Sequence, residues 1–155
     1  MRSSCLALRL ILERGGLTGA GEELDGRGFY LREAEGGAPL RWNDERLAEV
    51  GAHVVRVAGA SYRLEQLRDP GFEPGRRLAL VREPANPHDP NAIAVWNEER
   101  TVQAGYVPAD VAAELAGVEE LQALALWEWR SASGERFGLR VLVYPEGALR
   151  IPRLR

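Results

Sequence analysis

The sequence has no lysine: all 20 of its basic residues are arginines. It has one cysteine, Cys5, and two histidines, His53 and His88. A single cysteine cannot close an intramolecular disulfide or supply a CxxC zinc site, and Cys5 is given no role. No apolar run approaches the roughly 20 residues needed to span a bilayer. Residues 1–12 have a faint likeness to a signal peptide, but Arg9 interrupts the apolar stretch. No small-residue cleavage site precedes Glu13 and Arg14. The expectation is a cytoplasmic protein with no membrane partner. The glycines at 15, 16, 19 and 21 lack the Lys-Ser/Thr that would follow in a phosphate-cradling loop. No nucleophile–base pair is visible either. The missing lysine itself fits a codon bias as well as a function, because Arg, Gly, Ala and Pro share GC-rich codons.

What is present describes one ordinary domain, or one domain with an extension. The chain has 155 residues, enough for a single core and too few for two full-sized ones. With 45% hydrophobic and 28% charged residues it is globular rather than disordered. The net charge of −3 gives no general attraction to nucleic acid. Its distribution is uneven: residues 1–55 carry −2, 56–82 carry +3, 83–120 carry −7 and 121–155 carry +3. Alternating blocks can still fold to present a local basic face.

Patterning predicts mainly β structure with short helices. Residues 6–12 suit a strand or a short helix, and residues 15–21 a glycine-punctuated loop. Residues 28–33 read as a strand, 35–39 as a turn and 40–42 as its return strand. Asn43 or Asp44 then caps a helix over 45–50 that ends at Gly51. Strands follow over 53–58, 77–82, 92–96 and 102–107, with loops over 68–75 and 83–90. Pro108 opens a helix to about Leu115. A hairpin pairs 121–130 with 136–144 around the turn 131–135, with Phe137, Leu139, Val141 and Val143 on one face. Trp127 and Trp129 make the other arm strongly apolar on one side, as a seam with the N-terminal segment or with a partner. The expected architecture is a small OB-like β-barrel with helical cover and an N-terminal extension.

One stretch is too particular to be composition. Residues 82–95 read REPANPHDPNAIAV. Upstream stand Val57-Ala58-Gly59 and Ser61-Tyr62-Arg63; downstream, Gly105-Tyr106-Val107-Pro108 enters a helix. In order and spacing these three pieces resemble the HIRAN domain, which occurs at the front of certain remodelling-type helicases and as a stand-alone bacterial protein. The resemblance covers about residues 54–115, with the hairpin as its completion. It implies domains of 1–50 (extension of unknown role), 51–145 (HIRAN-like barrel) and 146–155 (tail). It implies an OB-like fold that grips the 3′ end of single-stranded DNA, without catalysis, cofactor or metal, and a helicase or nuclease as partner.

The resemblance also assigns residues. Tyr62 falls at a base-contacting aromatic, and a tyrosine stacked on a base is worth roughly 1–3 kcal/mol. Asp89 falls at a carboxylate that accepts a hydrogen bond from a free 3′-hydroxyl. Asn86 matches, and its amide both donates and accepts. His88 replaces a tyrosine and Arg63 a second aromatic; Tyr106 falls at a position facing DNA. The lysine that follows in the best-studied relative is absent, with Pro108 and Ala109 in that region. Arg82, beside the motif, is the phosphate candidate.

Plainer readings stand beside these. Residues 86–91 are turn chemistry in their own right, and Asn91 suits a loop brace. Tyr62 alone suits a half-buried strand position, and Tyr106 a packing position on a barrel rim. Arg56, Arg76, Arg77 and Arg82 suit solvated edges, and the four tryptophans a core. Two rival functions remain: a protein-interaction module, and a metal-dependent phosphoesterase using Glu83, His88, Asp89 and Asn91. The second has ligands from one loop only, whereas catalytic metal sites gather them from several elements.

Overall fold

The computed structural model describes residues 7–16 and 26–151. Cys5, Gly19 and Gly21 lie outside the described residues.

The fold is mainly β, with nine strands and two short α-helices among the described residues. The strands are β1 (Leu8–Gly16), β2 (Gly26–Glu33), β3 (His53–Arg56), β4 (Arg77–Arg82), β5 (Ile93–Asn97), β6 (Gln103–Tyr106), β7 (Leu121–Arg130), β8 (Arg136–Pro145) and β9 (Leu149–Arg150). The helices are α1 (Glu45–Glu49) and α2 (Ala109–Glu114). Asp44 caps α1 by accepting from the Arg46 N–H at 2.9 Å. Pro108 caps α2 as expected of a residue with no N–H to satisfy.

The sheet is organised around β7. One edge of β7 pairs with β8; the other pairs first with β4 and then with β2. β4 leads to β5 and β6, while β8 leads to β3. The six strands from β6 round to β3 curl, yet they do not close as a continuous barrel. Their ends meet at one bridge, Ala58 with Tyr106, through hydrogen bonds of 2.7 and 2.9 Å.

Because strand side chains alternate between faces, the β7–β8 hairpin feeds two cores. Ala123, Ala125, Leu139, Val141 and Val143 join Val55, Val57, Leu67, Phe72, Ile93, Val95 and Leu115 in the first. Leu124, Leu126, Trp127, Trp129, Leu142 and Tyr144 join Leu10, Phe29, Leu31 and Leu47 in the second. The tryptophan seam is therefore filled by the chain's own N-terminal strands. Tyr30 stacks on Trp42 at 5.5 Å and tilts against Trp127 at 5.0 Å. Gly28, with φ of 150°, permits the crossing of β2 over β7: a Cβ there would lie 2.0 Å from the Leu126 carbonyl oxygen.

Several expectations need correction. Gly15 and Gly16 are the end of β1, not a loop, because they pair with Gly28 and Arg27 under the Tyr30 ring. Residues 40–42 form no return strand; Arg32 and Pro39 make a single bridge, and Leu40 follows with one bond to the Leu31 carbonyl. Phe137 packs on the second core, not with Leu139, because the β7–β8 register slips between Trp129 and Arg130.

A buried ion cluster ties the hairpin to the loop before β4. Glu128 accepts from Arg136 Nε at 2.7 Å, Arg130 Nε at 2.8 Å and Arg27 Nε at 3.1 Å. Arg136 Nη1 also donates to the carbonyls of Leu67 and Asp69. Burial alone raises a carboxyl pKa; here the hydrogen bonds and charges of Arg130 and Arg136 prevail and hold Glu128 below its ordinary value.

Candidate nucleic-acid interface

Three segments converge where β3 meets β6. The first leaves β3 through the Ala58 bridge and turns at Gly59, whose φ of 78° suits glycine. The turn becomes a short 3-10 helix, Ala60–Tyr62, packed against β6. Ala60 is its buried anchor, and Tyr62 projects at 92% exposure. Tyr62 is thus neither half-buried nor on a strand. An aromatic left this open has no packing role, which sets it apart from the other large side chains. Arg63, half-buried, closes the turn by donating its N–H to the Ala60 carbonyl.

The second segment is the end of β6. The backbone of Tyr106 is held by Ala58, and its hydroxyl donates to Glu83 Oε1 at 3.0 Å. The ring is fixed at both ends and half-exposed.

The third is the loop between β4 and β5. Asn86 Nδ2 donates to the same Glu83 oxygen at 2.9 Å. Asn86 Oδ1 accepts from the N–H groups of His88, at 2.8 Å, and Asp89, at 3.1 Å. Asp89 Oδ1 accepts from the Asn91 N–H at 2.8 Å. These are two successive Asx turns, the local closure that Asn and Asp favour. The result is a rigid loop that presents the His88 ring to solvent. Asp89 Oδ2 has no partner among the described residues.

The brace of the loop is therefore Asn86, where Asn91 was the candidate. Asn91 contributes its backbone N–H. Glu83 is the organising residue that sequence reasoning considered only as a metal ligand. Its signal was an acid three residues before Asn86, at the spacing of the bond they make. Arg82, at the end of β4, has its Nη2 on the carbonyls of Leu115, at 2.9 Å, and Val118. It fastens the end of α2 to β4. Among the described residues no three His, Cys, Asp or Glu side chains gather in a way that could hold a metal ion.

The site thus offers an exposed aromatic, two carboxylates, an imidazole and a guanidinium on a braced frame. The sequence model of the HIRAN domain family matches residues 50–123. The chain carries a HIRAN domain. Tyr62, Arg63, Asn86, His88, Asp89 and Tyr106 all fall within the matched HIRAN segment, while part of its core comes from the β7–β8 hairpin beyond it. The HIRAN domain is known as a DNA-binding module, which supports nucleic-acid binding in general for this segment. Among solved structures, a protein from Lactobacillus plantarum is similar with a TM-score of 0.44 and 21% identity, over 60% of this chain and 92% of that one. The HIRAN domain of human HLTF is similar with a TM-score of 0.41 and 23% identity, over 64% of this chain and 80% of that one. No curated protein matches. No described helix is long and apolar enough to cross a membrane.

Proposed function

We propose that the HIRAN site binds the free 3′ end of single-stranded DNA. The observation that carries this reading is the 92% exposure of the Tyr62 ring; an Asp89 oxygen with no partner among the described residues, on the braced loop, supports it. Tyr62 stacks on a base near the end, with Arg63 and His88 beside it as partners for a base or a phosphate. Tyr106, held by Glu83, gives a fixed ring wall. Asp89 Oδ2 accepts from the 3′-hydroxyl; a hydrogen bond to an ionised group is worth about 1.5–3 kcal/mol. A continuing strand has no such donor. A 3′-phosphate would bring anion against anion, a repulsion of about 4 kcal/mol at 4 Å and an effective dielectric of 20. Arg82, fastened to the carbonyls of Leu115 and Val118, adds its charge as a further attraction for the strand.

The test is fluorescence anisotropy with a short 5′-labelled strand at low and moderate salt. The expected result is binding that weakens at least about tenfold when the 3′ end is phosphorylated. Asp89→Asn keeps an oxygen for the Asn91 N–H and removes the charge, so it should erase the distinction between the two ends. Binding indifferent to the end in wild type would reduce the site to a general single-strand binder. No binding at low salt would defeat the reading, and a protein partner would become the function to seek.

A further inference from the structure

A second polar site lies away from the loop, in an open cleft of about 480 Å³ where β1, β4 and β9 approach one another. Three arginines line it: Arg9 from β1, Arg77 from β4 and Arg150 from β9. β1 and β9 run parallel, and Arg9 and Arg150 are direct register partners. Neighbouring strands lie about 4.8 Å apart, and like charges opposite one another destabilise a ladder. Among the described residues no carboxylate lines the cleft. Among the described residues Arg9 has one distant ion-pair partner, Glu35 at 3.6 Å, with both side chains largely in solvent. Arg77 donates only to the neutral Gln122 amide oxygen, at 3.2 Å, and Arg150 has no ion pair among the described residues.

A fourth group points the same way. Tyr144 is 9% exposed, lines the cleft, and its hydroxyl makes no hydrogen bond among the described residues. Burial pushes this phenol above its ordinary pKa against the pull of Arg77, so at neutral pH it remains a donor. Three cations and one unused donor converge on an open space. Water screens such an array only in part; a ligand with several negative oxygens matches it.

We propose that this cleft binds a phosphate-bearing ligand through Arg9, Arg77 and Arg150, with the Tyr144 hydroxyl donating a fourth hydrogen bond. It is a composite site. Arg77 comes from the HIRAN segment, while Arg9 and Arg150 lie outside the matched residues. The ligand is therefore held only when the N-terminal and C-terminal strands are docked. Guanidinium forks suit phosphate oxygens because they bind two at once.

The test uses the full chain and inorganic pyrophosphate as probe at low ionic strength. At ten times its dissociation constant, pyrophosphate should raise the melting temperature by about 3–6 °C. Arg77→Gln with Arg150→Gln should abolish the shift, and Tyr144→Phe should weaken binding severalfold. Arg150→Gln alone should melt no lower than wild type without ligand, because it relieves a like-charge pair. A lower melting temperature in that variant would mark Arg150 as structural and count against the proposal. No shift in wild type at 10-fold millimolar excess of pyrophosphate (on the order of 10 mM), or a shift retained by the double variant, would overturn it.

A second arm identifies the source of the phosphate. In single-strand binding, each phosphate contact adds about 0.7 to the slope of log affinity against log salt. A slope reduced by about 1.4 in the double variant assigns the cleft to a nucleic-acid backbone. An unchanged slope with pyrophosphate binding lost assigns it to a free phosphate compound. Because the pyrophosphate measurement does not involve the loop, it succeeds or fails independently of 3′-end recognition.

Discussion

The two cores share one hairpin and little else. The first is made almost entirely of Val, Leu, Ile and Ala, with Phe72 as its buried aromatic. The second gathers Phe29, Trp127, Trp129 and Tyr144, with Tyr30 and Trp42 packed against it. Arginines cover its rings: Arg14 lies 4.8 Å over Phe29, Arg56 4.4 Å over Trp129, and Arg140 4.9 Å over Trp42. The aliphatic core shapes a curled sheet whose rim carries an exposed tyrosine. The aromatic core buries its rings to dock the N-terminal strands. Exposure, rather than residue type, separates a base platform from a core residue: Tyr62 is 92% exposed and Trp127 is 0%.

The largest effect expected is at the second core. Trp127→Ala removes a fully buried indole and should cost about 3–5 kcal/mol, read as a lower urea midpoint. A loss under about 1 kcal/mol would mean the two cores are not one cooperative unit. Next is the ion cluster joining the hairpin to the loop before β4. Glu128→Gln leaves Arg136 buried without its anion and should cost about 3 kcal/mol at neutral pH. The sign with pH follows from the lowered pKa of Glu128. Its stabilisation is complete above the ordinary value of 4.5 and is lost as pH falls through the lower folded value. The gap between wild type and Glu128→Gln, measured by denaturation at several pH values, should therefore narrow only below 4.5. An equal gap at all pH values would show that the carboxylate's charge contributes nothing. The smallest effect on stability is at the interface. Tyr62→Ala should change folding by less than about 0.5 kcal/mol. It should weaken single-strand binding about 5- to 150-fold. A folding loss comparable to that of Trp127→Ala would show that Tyr62 belongs to a core after all.

Local features were read correctly where local physics decides them. The β4 bounds, the hairpin arms, the Asp44 cap and the helix opened by Pro108 follow from alternation, capping oxygens and proline geometry. The misread positions depend on contacts distant in sequence. Gly15 belongs to a strand because β2 and the Tyr30 ring lie against it. Phe137 changes core because of a register slip against β7. The loop was legible as turn chemistry and as a family motif, but its brace was not. Asn86 and Asn91 have the same chemistry, and only the folded loop shows which one meets Glu83.

By itself, the sequence determined that this chain is a mainly β protein with one distinctive loop, a HIRAN-type order of motifs and candidate DNA contacts. The β pattern, the loop and the motif order rest on periodicity, turn residues and spacing, all of which are local; the candidate DNA contacts are what the resemblance to the HIRAN domain implies. Only the tertiary structure decided that Tyr62 is open and the tryptophans are covered, that Glu83 joins Asn86 to Tyr106, and that Arg9, Arg77 and Arg150 face one cleft. Burial and juxtaposition are properties of strands brought together from distant parts of the chain. No pattern along a single segment encodes them.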